Sequence, residues 1–249
     1  MTVDDAKHRV IADIAEVGAM TRETARRYEN VFSGFRNELD AVIGETQTMA
    51  EAALATMAMV EAAASAVRVS YPHQPKLGCH DGCASCCHLF VAIPPGISTA
   101  IAGHIRETFE PERQDALIAK LSAAASAIAE VENPLWARVR CPLLDDADRC
   151  TIYSVRPLTC RAFTSRSEAV CRKLVFETDP KSEAGVDQNP AHYRLHVEAT
   201  HALIDAARNR GLPSGQTGFV AALLAELCPT ANPVEKDGPV ETDGQAPPS

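Results

Sequence analysis

Apolar positions in the first 70 residues recur at three- and four-residue intervals. Val10, Ile11, Ile14 and Val17 form one stripe; Phe32, Phe35, Leu39 and Val42 form a second, which continues weakly through Met49, Ala53, Val60 and Val67. This spacing places side chains on one face of an α-helix. No proline interrupts the stretch. The alternation of threes and fours resembles a coiled-coil seam, but Thr46 and Thr56 break it and Gly34 and Gly44 weaken the helix. The pattern therefore predicts one long helix or an antiparallel helical hairpin, either packed on its own domain or used for dimerisation.

"SYPHQPK" at 70–76 carries two prolines and ends that region. Beyond it, "VAIPPGISTAIAGHIRETF" predicts a short extended piece, a turn and a helix capped near Ser98. "EPERQDALIAKLSAAASAIAEV" predicts a helix with Pro111 in its first turn, ending before Asn133 and Pro134. The "DDAD" turn between "CPLL" and "CTIY" predicts a small β-hairpin that brings Cys141 and Cys150 together. Residues 189–211 read as a helix with a proline start and a glycine stop, and "TGFVAALLAEL" reads as another. From 229 to 249 there are five prolines, two glycines and no apolar period, which predicts a disordered acidic tail. The expected fold is mainly α with a small β-hairpin. Its parts are an N-terminal helical appendage over 1–70, a cysteine-rich metal-binding core domain over 71–228, and the tail over 229–249.

Composition narrows the chemistry. The 249 residues are 46% apolar but only 5% aromatic, which suits an aliphatic, helix-prone core. A net charge of −9 argues against a general nucleic-acid or anionic-membrane binder, since neutralising phosphates needs a basic surface. The start "MTVDDAKHRV" lacks the apolar run of a secretory signal, so a cytoplasmic location is expected. The most apolar run, 52–60, is bounded by Glu51 and Glu61 and falls far short of the ~20 residues of a membrane helix, so no membrane span is expected.

In a reducing compartment, nine cysteines point to metal binding or redox chemistry rather than to structural disulfides. Eight of them fall in two groups: Cys79, Cys83, Cys86 and Cys87, then Cys141, Cys150, Cys160 and Cys171. Thiolates select zinc, Cu(I) or iron–sulfur clusters. The eight could serve one four-thiolate site with spare thiols, or two centres. Adjacent Cys86 and Cys87 are expected to diverge, with one bridging, serving a second site or staying free. Cys228 reads as a small hydrophobe at an apolar helix end.

The run from Cys79 to Cys87, followed by "CPLLDDADRCTIYSVRPLTCRAF", resembles the YkgJ-type cysteine-cluster family over roughly residues 77–172. The resemblance implies a domain that chelates zinc or iron, often described as iron–sulfur containing, with no defined biochemical role. It implies Cys79, Cys83, Cys86, Cys87, Cys141, Cys150 and Cys160 as the cluster, with Cys171 at the looser end, and it matches Tyr153, Arg156, Pro157 and Arg161 to the second block. Zinc and an iron–sulfur cluster both remain open as the cofactor.

Four thiolates around a metal leave negative charge, which Arg156 and Arg161 could offset by hydrogen bonds to sulfur. Cys79, Cys83 and Cys86 also have the spacing of a radical S-adenosylmethionine motif. Against that reading, Ser85 stands where that family has an aromatic, and no strand–helix barrel is in prospect. His80 and His88 flank the first group and could serve as borderline ligands, but with eight thiols at hand they read better as polar loop residues. His192 and His196, four apart, form a weak metal-pair candidate without the intervening glutamate of a zincin, and His201 lies off their face. There is no phosphate-binding glycine loop and no serine-nucleophile elbow. Two further readings stay open: a redox or group-transfer enzyme using the cluster, and a regulatory protein whose N-terminal helix meets a copy of itself or another protein while the metal staples the fold.

Overall fold

A computed structural model describes residues 2–70, 76–182 and 184–228. The linker prolines and the predicted tail fall in 71–75 and 229–249, outside the described residues. Among the described residues the fold is mainly helical, with eight α-helices and one two-stranded antiparallel ribbon.

The N-terminal pattern resolves as a hairpin, α1 (Val3–Gly44) followed by α2 (Met49–Ser70). Thr2 and Asp5 form a capping box at the start of α1. At the turn, Glu51 accepts the N–H groups of Gln47 and Thr48 while Thr48 Oγ1 accepts that of Glu51, which starts α2. Leu39 and Ile43 meet Ala52, Ala53 and Met57 near the turn, and Phe32 meets Ala64 further out, so the two helices run antiparallel. The second stripe is the buried one, with Ile43 facing inward where Val42 was expected.

α2 is longer than its most apolar run suggests. The helix passes through Glu51 and Glu61, and at 22 residues with a window of mean hydropathy 1.4 it is long and apolar enough to cross a membrane by length and composition. The expectation drawn from 52–60 alone understated it. A third of that window is buried in the fold, where α2 packs against α1 and the helices described next.

The remaining helices are α3 (Ile97–Thr108), α4 (Pro111–Ala129), α5 (Leu158–Ala162), α6 (Glu168–Phe176), α7 (Pro190–Asn209) and α8 (Phe219–Leu227). α7 packs on α1, α2 and α5; α3 packs on α2 and α8; α8 packs on α4. One core runs through all these layers from Leu39 to Leu223. The ribbon pairs β1 (Ala92–Ile93) with β2 (Thr217–Gly218), far from the "DDAD" segment, which keeps a single antiparallel bridge, Leu144 with Cys150. Gly96, not Ser98, caps α3. Its φ is +86°, and a Cβ there would lie 2.1 Å from the Met49 carbonyl oxygen, so only glycine lets the starts of α2 and α3 meet. α5 and α6, which carry Cys160 and Cys171, were not foreseen.

Candidate metal centre

The first cysteine block folds as a tight loop ending in a 3-10 turn, Ser85–His88. Cys83 N–H donates to the His80 carbonyl (3.1 Å), Cys87 N–H to that of Ala84 (3.0 Å) and Leu89 N–H to that of Cys86 (3.1 Å). The second block lies alongside it, since Cys141 N–H donates to the Cys87 carbonyl (2.8 Å) and Val139 N–H to that of His88 (3.0 Å). The Asp145 carboxylate accepts the N–H groups of Ala147 and Arg149, closing the turn that returns Cys150 beside Leu144. Pro157 then starts α5, which carries Cys160. These backbone contacts bring Cys86, Cys87, Cys141, Cys150 and Cys160 around one cavity of about 150 Å³, despite the 53 residues between the blocks.

Four of these thiols, Cys86, Cys141, Cys150 and Cys160, are shifted towards the protonated form. Burial raises Cys160 well above the usual thiol range and pushes Cys141 up to about 11; Cys150 is raised for the same reason. Cys86 is raised first by its hydrogen bond with the Cys87 thiol, then by burial. The Arg156 guanidinium opposes these shifts at Cys86, Cys150 and Cys160. Arg156 lies 4.3 Å over the Tyr153 ring. Among the described residues no carboxylate pairs with it, and its buried Nε lacks a hydrogen-bond partner. A cation left unpaired beside four or five thiols suits a site whose occupied form is anionic.

A second neighbourhood opens on a cleft of about 510 Å³ that shares Cys86, Cys87 and Cys150 with the first and adds Cys79, His80, Cys83 and Cys171. Gly78 lies against the start of α6, its N–H donating to the Ser165 carbonyl (2.8 Å), and the Cys79 sulfur accepts the Ser165 N–H (3.4 Å). Ser167 caps α6, which places Glu168 in the first turn and buries Cys171. The Ser165 hydroxyl donates to the Ser167 carbonyl (3.1 Å) and accepts the Ser167 N–H (3.1 Å), which fixes the turn before α6. His80 Nε2 is 3.0 Å from Glu168 Oε2, and donor atoms of His80, Cys83 and Glu168 all lie within 4.8 Å of one another. Spacing in the sequence gave no hint of Glu168, which reaches the loop only because α6 folds back on the 3-10 turn.

The other nominated residues have the following neighbours. Cys86 and Cys87, adjacent in the 3-10 turn, both line the cavity they share with Cys141, Cys150 and Cys160. No sulfur is among the hydrogen-bond partners of Arg161. It donates to the carbonyls of Arg156 (3.0 Å) and Ser154 and pairs with Glu61 of α2 (2.9 Å). His88 bonds the Ala84 carbonyl and meets the Phe176 ring edge-on. His192 bonds the Arg161 carbonyl, and His196 bonds that of His192; burial holds His196 neutral, with its pKa lowered to about 4. Cys228 caps the end of α8, away from both cavities.

Residues 78–183 match the family model CxxCxxCC, described as "Putative zinc- or iron-chelating domain". This segment is similar to that family. The matched CxxCxxCC domain contains all eight clustered cysteines together with His80, Arg156 and Glu168, whereas α1, α2, α7 and α8 lie outside it. Searches of curated proteins and of solved structures return no match. The helical fold thus holds a cysteine-rich segment similar to a zinc- or iron-chelating domain, with a candidate His/Cys/Glu metal site beside the thiols.

Proposed function

We propose that the CxxCxxCC domain holds two kinds of centre: an iron–sulfur cluster on thiols drawn from Cys86, Cys87, Cys141, Cys150 and Cys160, and a single divalent ion at His80, Cys83 and Glu168. The spacing of donor atoms carries this reading. Thiolates on one tetrahedral ion sit at about 2.3 Å from it, and hence roughly 3.8 Å from one another. Among the described residues, His80, Cys83 and Glu168 are the one group of three ligating side chains whose donors come within 4.8 Å of one another. No three of the five thiols around the smaller cavity have sulfurs within 4.8 Å of one another. A cluster stands between its thiolates and separates them in this way.

Arg156 would offset the charge of the bound cluster, and Cys79 and Cys171 flank the divalent site. When bound, an iron–sulfur cluster supplies one-electron chemistry. The chain's own contribution is to bury it and to join the two cysteine blocks across it, so that ligation free energy becomes folding free energy.

The test is anaerobic purification of the full chain with iron, acid-labile sulfide and zinc analysis and a visible spectrum. Iron and sulfide are expected in the wild type and in Cys228→Ser, with loss of both in Cys160→Ser. Zinc without sulfide in the wild type would refute the cluster.

A further inference from the structure

Residues 3–27 of α1 have no buried side chain. Their side-chain hydrogen bonds and ion pairs stay within the helix: Lys7 with Asp4, His8 with the Asp4 carbonyl, Thr21 with the Val17 carbonyl, and Arg26 and Arg27 with Glu23. At about 1.5 Å per residue this is an arm of roughly 37 Å. Most helical stability in proteins comes from packing of an amphipathic face rather than from propensity. Yet the arm exposes Val10 (56%), Ile14 (66%) and Val17 (62%), with Val3, Ile11 and Met20 also more than half exposed.

The exposed residues are ordered. Val3, Val10 and Val17 are seven apart, and Ile14 lies four after Val10 and three before Val17, which is heptad alternation; Lys7, Thr21 and Thr24 continue the line. Charge is divided along the arm. Residues 3–16 hold four carboxylates against two cations, and residues 17–27 hold three arginines against one glutamate. A second arm laid antiparallel sets acidic half against basic half at both ends, whereas a parallel one sets like against like. Pairing the Ile14 layer with Val17 of the second copy brings Asp4 and Asp5 to the level of its Arg26 and Arg27.

We infer that the arm is an interface for a second copy of this chain, docked antiparallel about a two-fold axis near residues 14–17. Such an interface is self-complementary and closes as a dimer. A membrane surface fits less well, because residues 3–27 contain no Trp, Phe or Leu and their first half is acidic. The inference is independent of the metal reading.

Sedimentation equilibrium of the full chain over a concentration series tests it. The wild type should reach twice the 26.7 kDa chain mass. Val10→Asp, Ile14→Asp and Val17→Asp combined should halve that mass while leaving metal content unchanged, which shows that the core still folds. Arg27→Glu should weaken the dimer several-fold, and adding Asp4→Lys to the same chain should restore it, as only antiparallel arms predict. A wild type that stays monomeric, including one that co-sediments with anionic phospholipid vesicles, overturns the proposal. So does a triple variant that keeps the dimer mass, or a failure of Asp4→Lys to restore the dimer.

Discussion

Gly78→Ala isolates the contact that holds the first cysteine loop against α6. A Cβ at residue 78 would lie 2.9 Å from the backbone nitrogens of both Ser167 and Glu168 and 3.0 Å from the carbonyl carbon of Arg166. Comfortable contact begins near 3.5 Å, so the overlap is about half an ångström against three backbone atoms that cannot rotate aside. Overpacking of this kind costs about 1–3 kcal/mol. For a chain of this size that lowers the melting temperature by about 2–4 °C per kcal/mol. The strain falls across the candidate His/Cys/Glu site, because His80 and Cys83 sit on the loop and Glu168 on α6. With about 1.4 kcal/mol per decade, affinity for Zn²⁺ or Co²⁺ there should fall about 10- to 100-fold. Thermal melts of metal-free protein and a Co²⁺ titration measure both effects. Gly103→Ala, whose Cβ meets nothing within 4 Å, is the control and should be neutral or mildly stabilising. Equal melting and equal Co²⁺ affinity in Gly78→Ala would refute the argument that this approach positions the site.

Thr56 is fully buried in α2 and its hydroxyl lacks a hydrogen-bond partner, so Thr56→Val should stabilise the chain by about 1 kcal/mol. A calorimetric melt checks this, and a lower melting temperature would show that the hydroxyl is satisfied. In metal-free protein, His80 should titrate above its usual 6.5, held protonated first by its hydrogen bond with Glu168 and then by the Asp81 carbonyl. The sign follows: this pair's stabilisation is complete below the unfolded pKa and is lost as pH rises through the higher folded value. Glu168→Gln should return the NMR midpoint towards 6.5; an unmoved midpoint would refute the pairing.

What could be read from the sequence divides along physical lines. Helices with their own punctuation were legible: Pro111 and Pro190 open α4 and α7, and Gly211 follows the end of α7 with φ +68°. The cysteines declared the chemistry because few other roles suit so many thiols at such spacing. The pairing of β1 with β2 was not legible, since it joins two-residue segments more than 120 positions apart. Nor was Glu168, whose relevance comes entirely from the packing of α6 on the 3-10 turn. Periodicity showed that Val10, Ile11, Ile14 and Val17 share a stripe, but an amphipathic pattern marks a face without saying what covers it.

The helical hairpin bears on the thiols through a short chain of charges and carbonyls. Glu61, on α2, holds the Arg161 guanidinium, and Arg161 in turn holds the carbonyls of Arg156 and Ser154. Those carbonyls fix the turn that sets Arg156 over Tyr153, leaving its charge free for the cavity. Removing Glu61 would leave Arg161 half-buried beside Arg156 without its counter-charge, two like charges at one turn. α2 also places Ala52, Ala53, Met57 and Val60 in the same core as Ile152 and Leu158, which flank that turn. The residues outside the family match therefore shape the electrostatics of the residues inside it, and a CxxCxxCC segment excised without α2 would keep its cysteines but lose the support that aims Arg156 at them.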